Sequence, residues 1–228
     1  VVGVHDLAGR VSWWGVRRDL RPMLAIALPA AATQLSTPLG NFLLTAAMSA
    51  HGDGAVAGWA VVTRMTVLAF GGIFALSGAI GGILGQNLGA GRYDRVRSAY
   101  RDALVFGAVY VLVTWAALRA ATDVIVAGFA LGPEGAAVVG WFTAVGAGGF
   151  VFAGALFVAN AAFNNLGRPV WSTAFNWARD AGAIPLMLGL AWLVGAGAAG
   201  VIAAQAAATA VAGVAAAAWA WRWVARLE

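Results

Sequence analysis

Six stretches of almost uninterrupted apolar residues follow one another along this chain, and each is long enough to cross a lipid bilayer. A helix that spans the hydrocarbon core needs roughly 20 apolar residues. Short segments rich in Gly, Pro and charged residues separate the stretches, as is usual between helices. The stretches cover about residues 23–50, 55–84, 99–121, 136–163, 170–194 and 198–223. The sequence therefore predicts an all-α integral membrane protein, a bundle of six transmembrane helices.

Charge is scarce in this chain. Charged residues make up 10% of it and hydrophobic residues 62%, whereas a soluble domain carries about 25% charged residues. This small number of polar residues could not shield such an apolar core from water. Lipid is therefore the solvent that fits. All 14 basic residues are arginines, and most lie in short loops. The net charge of +5 therefore indicates contact with membrane lipid headgroups, and we expect no nucleic-acid partner.

The arginines also predict the orientation of the helices. Basic residues are enriched in cytoplasmic loops, and alternate connections here hold 11 of the 14 arginines. We therefore predict a multi-pass protein of the cell (inner) membrane with both termini cytoplasmic. Residues 1–21 are predicted to form an interfacial lead-in that carries Trp13 and Trp14. The 11 arginines are Arg10, Arg17, Arg18, Arg21, Arg92, Arg95, Arg97, Arg101, Arg168, Arg222 and Arg226.

Four polar residues form a stripe along the first span: Gln34, Thr37, Asn41 and Thr45. Their spacing of three or four residues places them on one face of a helix. Polar groups inside a membrane are costly and often mark a functional site. The stripe is predicted either to line a cavity or to supply hydrogen bonds between helices.

Five further polar residues lie within spans and are candidates for lining a cavity. Arg64, in the second span, either has a structural partner or extends its side chain towards the interface. Asn160 lies in the fourth span, and Asn176 and Asp180 could share a face of the fifth. Arg179 and Asp180 are adjacent, and adjacent helical residues do not face each other, so each is expected to need a separate partner.

Catalytic and metal-binding patterns are missing from the sequence. The two histidines, His5 and His51, lie outside the predicted spans, and no His-and-acid cluster suits a metal ion. Neither a nucleophile motif nor a phosphate-binding glycine loop is present. We therefore predict that the chain is not an enzyme and has no metal and no cofactor.

The second connection contains the sequence Gly85-Gln86-Asn87-Leu88-Gly89-Ala90-Gly91-Arg92, which resembles the hallmark loop of the multidrug and toxic compound extrusion (MATE) transporters. Further segments agree with that family in order and spacing: Leu28-Pro29, Ala55 to Arg64, Asn165 to Pro169, and Gly197 to Val201. The resemblance implies one six-helix lobe, the C-terminal one, of a twelve-helix transporter. It also implies export of a small organic substrate in exchange for a coupling ion, H+ or Na+, together with an N-terminal lobe to which residues 1–21 would be the cytoplasmic linker.

Acidic residues are nearly absent from the predicted spans, with Asp180 the one acid deep in any of them. We therefore predict that the coupling carboxylate lies in the N-terminal lobe, as in DinF-like members of the family. Two alternatives remain open. The chain could belong to a flippase for lipid-linked oligosaccharide with the same superfamily fold, or it could be a truncated membrane module that transports nothing. Because the chain begins with Val1, we expect a piece of a longer protein.

Overall fold

A computed structural model describes residues 13–227, which form a bundle of helices with no strand among them. Residues 1–12, which include His5, Arg10 and the first part of the predicted lead-in, and Glu228 lie outside the described residues. The α-helices are α1 (Trp13–Ser49), α2 (Asp53–Ala69), α3 (Gly71–Gly89), α4 (Tyr93–Ala120), α5 (Thr122–Gly128), α6 (Pro133–Trp141), α7 (Phe150–Asn165), α8 (Pro169–Trp177), α9 (Ile184–Leu193) and α10 (Gly197–Val224).

The predicted segments correspond in order to α1, α2 with α3, α4, α6 with α7, α8 with α9, and α10. α1 begins at Trp13, so residues 13–21 of the predicted lead-in are already helical. The connection expected between the third and fourth segments contains the short helix α5. Two π-helical turns continue their preceding helices: π1 (Phe142–Gly146) follows α6, and π2 (Ala178–Ala183) lies between α8 and α9.

Length and apolar composition identify membrane-crossing helices within residues 13–227. α4 and α10 are each long and apolar enough to cross alone. Two pairs of helices are also long and apolar enough to cross when each bent pair is taken as one span. These pairs are α2 with α3, bent by 44°, and the α6–π1 run with α7, bent by 59°. This criterion therefore gives two to four crossings. α1 and the α8–α9 run are not among them, and each carries polar residues predicted above as cavity candidates.

The bend before α7 follows directly after π1. The N–H of Ala147 donates to the carbonyl of Phe142, five residues back, over 2.8 Å. The neighbouring carbonyl of Thr143 accepts the indole N–H of Trp115 from α4 over 2.7 Å. Such a π-helical turn widens a helix by one residue and is frequent at functional sites. The side chain from α4 therefore satisfies a backbone group in the π-helical turn that precedes the bend.

Two apolar cores hold the bundle together. One gathers α1, α2 and the α6–π1 region around side chains such as Leu44, Phe70 and Phe142. The other packs α3, α4, α7 and the end of α10 around residues such as Tyr100 and Phe163. Large apolar side chains also cover the outside of the bundle and are exposed, as expected of a surface in contact with lipid. Examples are Leu68, Phe42 and Val113.

Candidate functional site

A cavity of about 240 Å³ opens between α1, α2, α3, α7 and α10 and is bordered by both π-helical turns. Its lining is mostly apolar and includes the aromatic rings of Trp59, Phe74, Phe150 and Phe157. Most small-molecule sites combine such an apolar surface with a few polar groups that orient the ligand. The polar groups here are Thr37, Asn41, Thr63, Thr66, Arg179, Asp180, Gln205 and Thr209.

The charged groups of this cavity, Arg179 and Asp180, bind each other. The Nε of Arg179 donates to Oδ1 of Asp180 over 2.7 Å, and Nη2 donates to Oδ2 over 2.9 Å. The side chains are 10% and 2% exposed. The expectation that each needs a separate partner is therefore wrong. The long side chain of Arg179 curls back to Asp180 within the widened turn π2. Its flexibility allows a contact that the directions of the two Cβ atoms alone would not predict.

The pair is held against α1. The Nη2 of Arg179 lies 3.5 Å from the hydroxyl oxygen of Thr37. Gly40 packs so closely on the carboxylate that a Cβ at this position would lie 2.8 Å from Oδ1 of Asp180. α1 therefore offers the pair a hydrogen-bond acceptor and a gap of matching size. A fork-shaped guanidinium on a carboxylate fixes the geometry of both groups, and their charges cancel within the cavity wall.

The polar stripe of α1 is divided between two environments. Thr37 and Asn41 line the cavity. Thr45 lies outside the cavity lining and accepts the indole N–H of Trp59 from α2 over 3.3 Å. Gln34 is exposed and also outside the lining. The structure therefore brings half of the stripe to the cavity, and the contact of Thr45 joins two helices.

The other three predicted residues do not line the cavity. Arg64 is exposed on α2, although Thr63 beside it faces the cavity. Asn176 is buried and donates from Nδ2 to the carbonyl of Ser172 over 2.8 Å within its own helix. Asn160 is half-buried, and its Oδ1 has no hydrogen-bond partner among the described residues.

Four polar residues of the cavity were not predicted from the sequence. Thr63 and Thr66 lie three residues apart on α2, and Gln205 and Thr209 lie four apart on α10. The spacing rule used for α1 applies equally to both pairs. Because threonine is common in membrane helices and α10 is rich in alanine, only a search for paired polar positions would have found them.

The hallmark loop ends α3 and begins α4, away from the central cavity. Gly91 has a φ of +67°, the left-handed region that favours glycine. The N–H of Arg92 donates to the carbonyl of Asn87 over 2.8 Å, and the N–H of Gly91 to that of Leu88 over 3.0 Å. This is the Schellman ending of a helix. The loop therefore reverses the direction of the chain between α3 and α4.

The remaining residues of the hallmark sequence lie in the last turns of α3. The side chain of Asn87 bonds within its own helix, since its Nδ2 donates to the carbonyl of Ile83, four residues back, over 2.8 Å. Gly85 lets α7 approach, because a Cβ there would lie 2.9 Å from Oδ1 of Asn165. Three further members of the motif are exposed: Gln86, Gly89 and Ala90.

Comparison with known proteins decides the family. Residues 29–186 match the family model described as MatE. The chain belongs to the MatE family. Members of this family are MATE transporters, integral membrane proteins that are not enzymes.

Solved structures share the fold of this MatE chain. A MOP superfamily transporter from Pyrococcus furiosus superimposes with a TM-score of 0.84 at 18% identity, over 98% of this chain and 49% of that one. The Vibrio cholerae MATE transporter VcmN in its bent form gives 0.78 at 21% identity, over 92% and 48%. The chain thus spans about half the length of these transporters. The predicted fold, a helical membrane lobe of MATE type, is confirmed.

A curated protein from Pseudomonas savastanoi, an uncharacterized 21 kDa protein in the iaaL 5' region, is similar in sequence to part of the chain. The two are 42% identical over 98 residues, which are 43% of this chain and 32% of that protein.

Proposed function

We propose that this chain is the C-terminal half of a secondary antiporter that exports organic cations or drugs in exchange for H+ or Na+. The observation that carries the proposal is the mostly apolar cavity, with its aromatic rings and few polar groups, in a lobe of MATE fold. An amphipathic organic molecule fits such a lining. The cavity volume of about 240 Å³ is below the roughly 300–1,000 Å³ of complete ligand pockets, and an N-terminal lobe supplies the other wall.

We further propose that both termini face the cytoplasm of a cell whose inner membrane holds the protein. Arginine-bearing segments that are distant in sequence meet at one end of the bundle. Arg97 of α4 binds backbone carbonyls at the end of α10, and the guanidinium of Arg168 lies 4.4 Å over the ring of Trp223. Arginine-rich ends are cytoplasmic in most membrane proteins. Tagging each end and measuring accessibility to an impermeant reagent tests the orientation, which an external C-terminus would refute.

The ion-coupling carboxylate belongs, in this proposal, to the N-terminal lobe, as in DinF-like members. Asp180 is the acid at the cavity, and both of its oxygens accept hydrogen bonds from Arg179. A carboxylate engaged in this way has little freedom to take up and release a coupling ion. The coupling step therefore needs another acidic residue, and an N-terminal lobe without an intramembrane carboxylate would contradict the proposal.

The test is efflux of a fluorescent organic cation from proteoliposomes that contain the transporter with both lobes. We expect efflux that stops when the ion gradient is removed. The charge-neutral double variant Arg179→Met/Asp180→Leu should keep gradient-dependent efflux, because the pair is not the coupling group. Loss of coupling with retained substrate binding would instead assign that role to Asp180. Residues 1–228 alone should show no efflux, since one wall of the cleft would be absent.

A flippase for lipid-linked oligosaccharide is less well supported. Its pyrophosphate would need uncompensated basic groups in the cavity. The arginine at the cavity is neutralised by Asp180, and Arg64 is exposed outside the lining.

A further inference from the structure

A second cavity lies where α3 turns into α4, beside Leu227 in the segment that follows α10. It measures about 500 Å³ and is more polar than the central cavity. Three arginines and one acid line it: Arg92, Arg95, Arg97 and Asp94. We call it the basic cavity. It shares no lining residue with the central cavity, and its excess of positive charge indicates an anionic ligand.

One of the three arginines is structural. Arg97 donates from Nη1 to Oδ1 of Asp94 over 2.8 Å. Its Nη2 donates to the carbonyl of Leu227 and lies 3.5 Å from that of Ala225. Arg97 therefore ties α4 to the end of α10 and neutralises Asp94. Arg92 and Arg95 are exposed, and neither has an ion-pair partner within residues 13–227.

The turn between α3 and α4 sets the backbone positions of these two free arginines. Gly91, in its left-handed conformation, places Arg92 directly before the first residue of α4. The carbonyl of Arg92 accepts the N–H of Arg95 over 3.1 Å. The two side chains therefore start from one helical turn, at the end of α4 where the helix dipole is positive. Both the side chains and the dipole favour a bound anion.

The residues around the basic cavity are of the types that gather at the depth of lipid headgroups. Leu227 borders it, and the last turns of α10, shortly before Leu227 in the chain, carry three tryptophans: Trp219, Trp221 and Trp223. Tryptophan and arginine are concentrated at the interface between hydrocarbon and water. The guanidinium of Arg168 stacks over the ring of Trp223 at the same end of the bundle. An anion at this depth is most readily supplied by the membrane itself.

We propose that the basic cavity binds the headgroup phosphate of an anionic phospholipid, with Arg92 and Arg95 as its ligands. The planar guanidinium matches the oxygens of a phosphate and donates two parallel hydrogen bonds. A zwitterionic headgroup carries an ammonium group that the arginines repel. The site therefore distinguishes phosphatidylglycerol from phosphatidylcholine.

The experiment measures binding of dioctanoyl phosphatidylglycerol to the purified protein in a neutral detergent by native mass spectrometry. Each basic residue near an anionic lipid surface contributes about fivefold to affinity. Replacing both ligands, as Arg92→Gln/Arg95→Gln, should therefore weaken binding by roughly 25-fold. Asp94→Asn removes the acid of the cavity and should tighten binding by about fivefold. Since these side chains are exposed, the variants should fold, and thermal melting verifies this.

The matched control is Arg101→Gln/Arg222→Gln, which removes the same charge from exposed arginines outside the basic cavity. It should leave the affinity close to that of the wild type. An equal loss in both double variants would overturn the proposal, since it would show only general attraction to the charged end. Equal binding of dioctanoyl phosphatidylcholine would also overturn it. So would displacement of the lipid by millimolar inorganic phosphate, because the ligand would then be the free anion.

Discussion

The Arg179–Asp180 pair makes the stability of this lobe unusually sensitive to one neutral substitution, Asp180→Asn. The change keeps the shape of the side chain but leaves the guanidinium of Arg179 without a counter-charge. That side chain is 10% exposed, and its remaining contact is with the hydroxyl of Thr37 at 3.5 Å. Removing one partner of a buried ion pair costs about 3–5 kcal/mol. Arg179 borders a cavity that can admit water, so we expect the lower end, about 3 kcal/mol.

For a chain of this size, 1 kcal/mol changes the melting temperature by about 2–4 °C. Asp180→Asn should therefore melt roughly 6–12 °C below the wild type. The matched variant Arg179→Met/Asp180→Leu removes both charges together. Replacing a buried pair by apolar side chains is often neutral or stabilising. The double variant should therefore melt within a few degrees of the wild type.

Intrinsic fluorescence of the chain's 11 tryptophans during heating of the detergent-purified protein measures all three melting temperatures. A wild-type melting temperature for Asp180→Asn would show that the counter-charge of Arg179 does not stabilise the fold. A double variant that melted as low as the single one would show that the loss does not come from an uncompensated charge.

Three further predictions use the same melting assay. Gly40→Ala places a Cβ 2.8 Å from the Asp180 carboxylate and should lower the free energy of unfolding by about 1–3 kcal/mol. In Gly78→Ala, the added Cβ in α3 meets nothing within 4 Å, so this control should raise the free energy of unfolding by about 0.5–1 kcal/mol. Equal changes in the two variants would contradict the role of the close contact at Gly40. Gly91→Ala, at a φ of +67°, should cost about 1–2 kcal/mol, whereas Gly89→Ala, in open space, should not destabilise. Tyr100→Phe removes a 3.0 Å hydrogen bond from a fully buried hydroxyl to a carbonyl of α10 and should cost about 1 kcal/mol; an unchanged melting temperature would show that the bond contributes nothing.

The positions of the helices could be predicted because lipid imposes a strong rule on sequence. Every backbone group within the bilayer needs a partner, so apolar stretches of sufficient length become helices. α10 agrees with its predicted segment to within one residue at each end. The bends could not be predicted in the same way. The 44° change of direction between Ala69 and Gly71 depends on which helices pack on either side, and glycine-rich sequence is compatible with straight helices as well.

The site was predicted in part. The stripe of α1 correctly indicated a polar face, but spacing within one helix says nothing about what lies opposite. Thr37 faces the cavity, whereas Thr45 faces Trp59. The error at Arg179 has another origin. The rule for adjacent residues describes the directions in which Cβ atoms point, whereas the guanidinium of arginine is far enough from its Cβ to turn back.

The two π-helical turns are places where the chain can gain or lose one residue without rotating the rest of the helix. A π-helical turn is an α-helix that has absorbed one extra residue locally, so the helix on either side keeps its lipid-facing and cavity-facing sides. Elsewhere in a span, inserting one residue would rotate all later side chains by about 100° and exchange those sides. Single-residue gaps in alignments with other MatE proteins are therefore expected within Phe142–Gly146 and Ala178–Ala183. At these two places the family can alter the cavity wall without rebuilding the bundle.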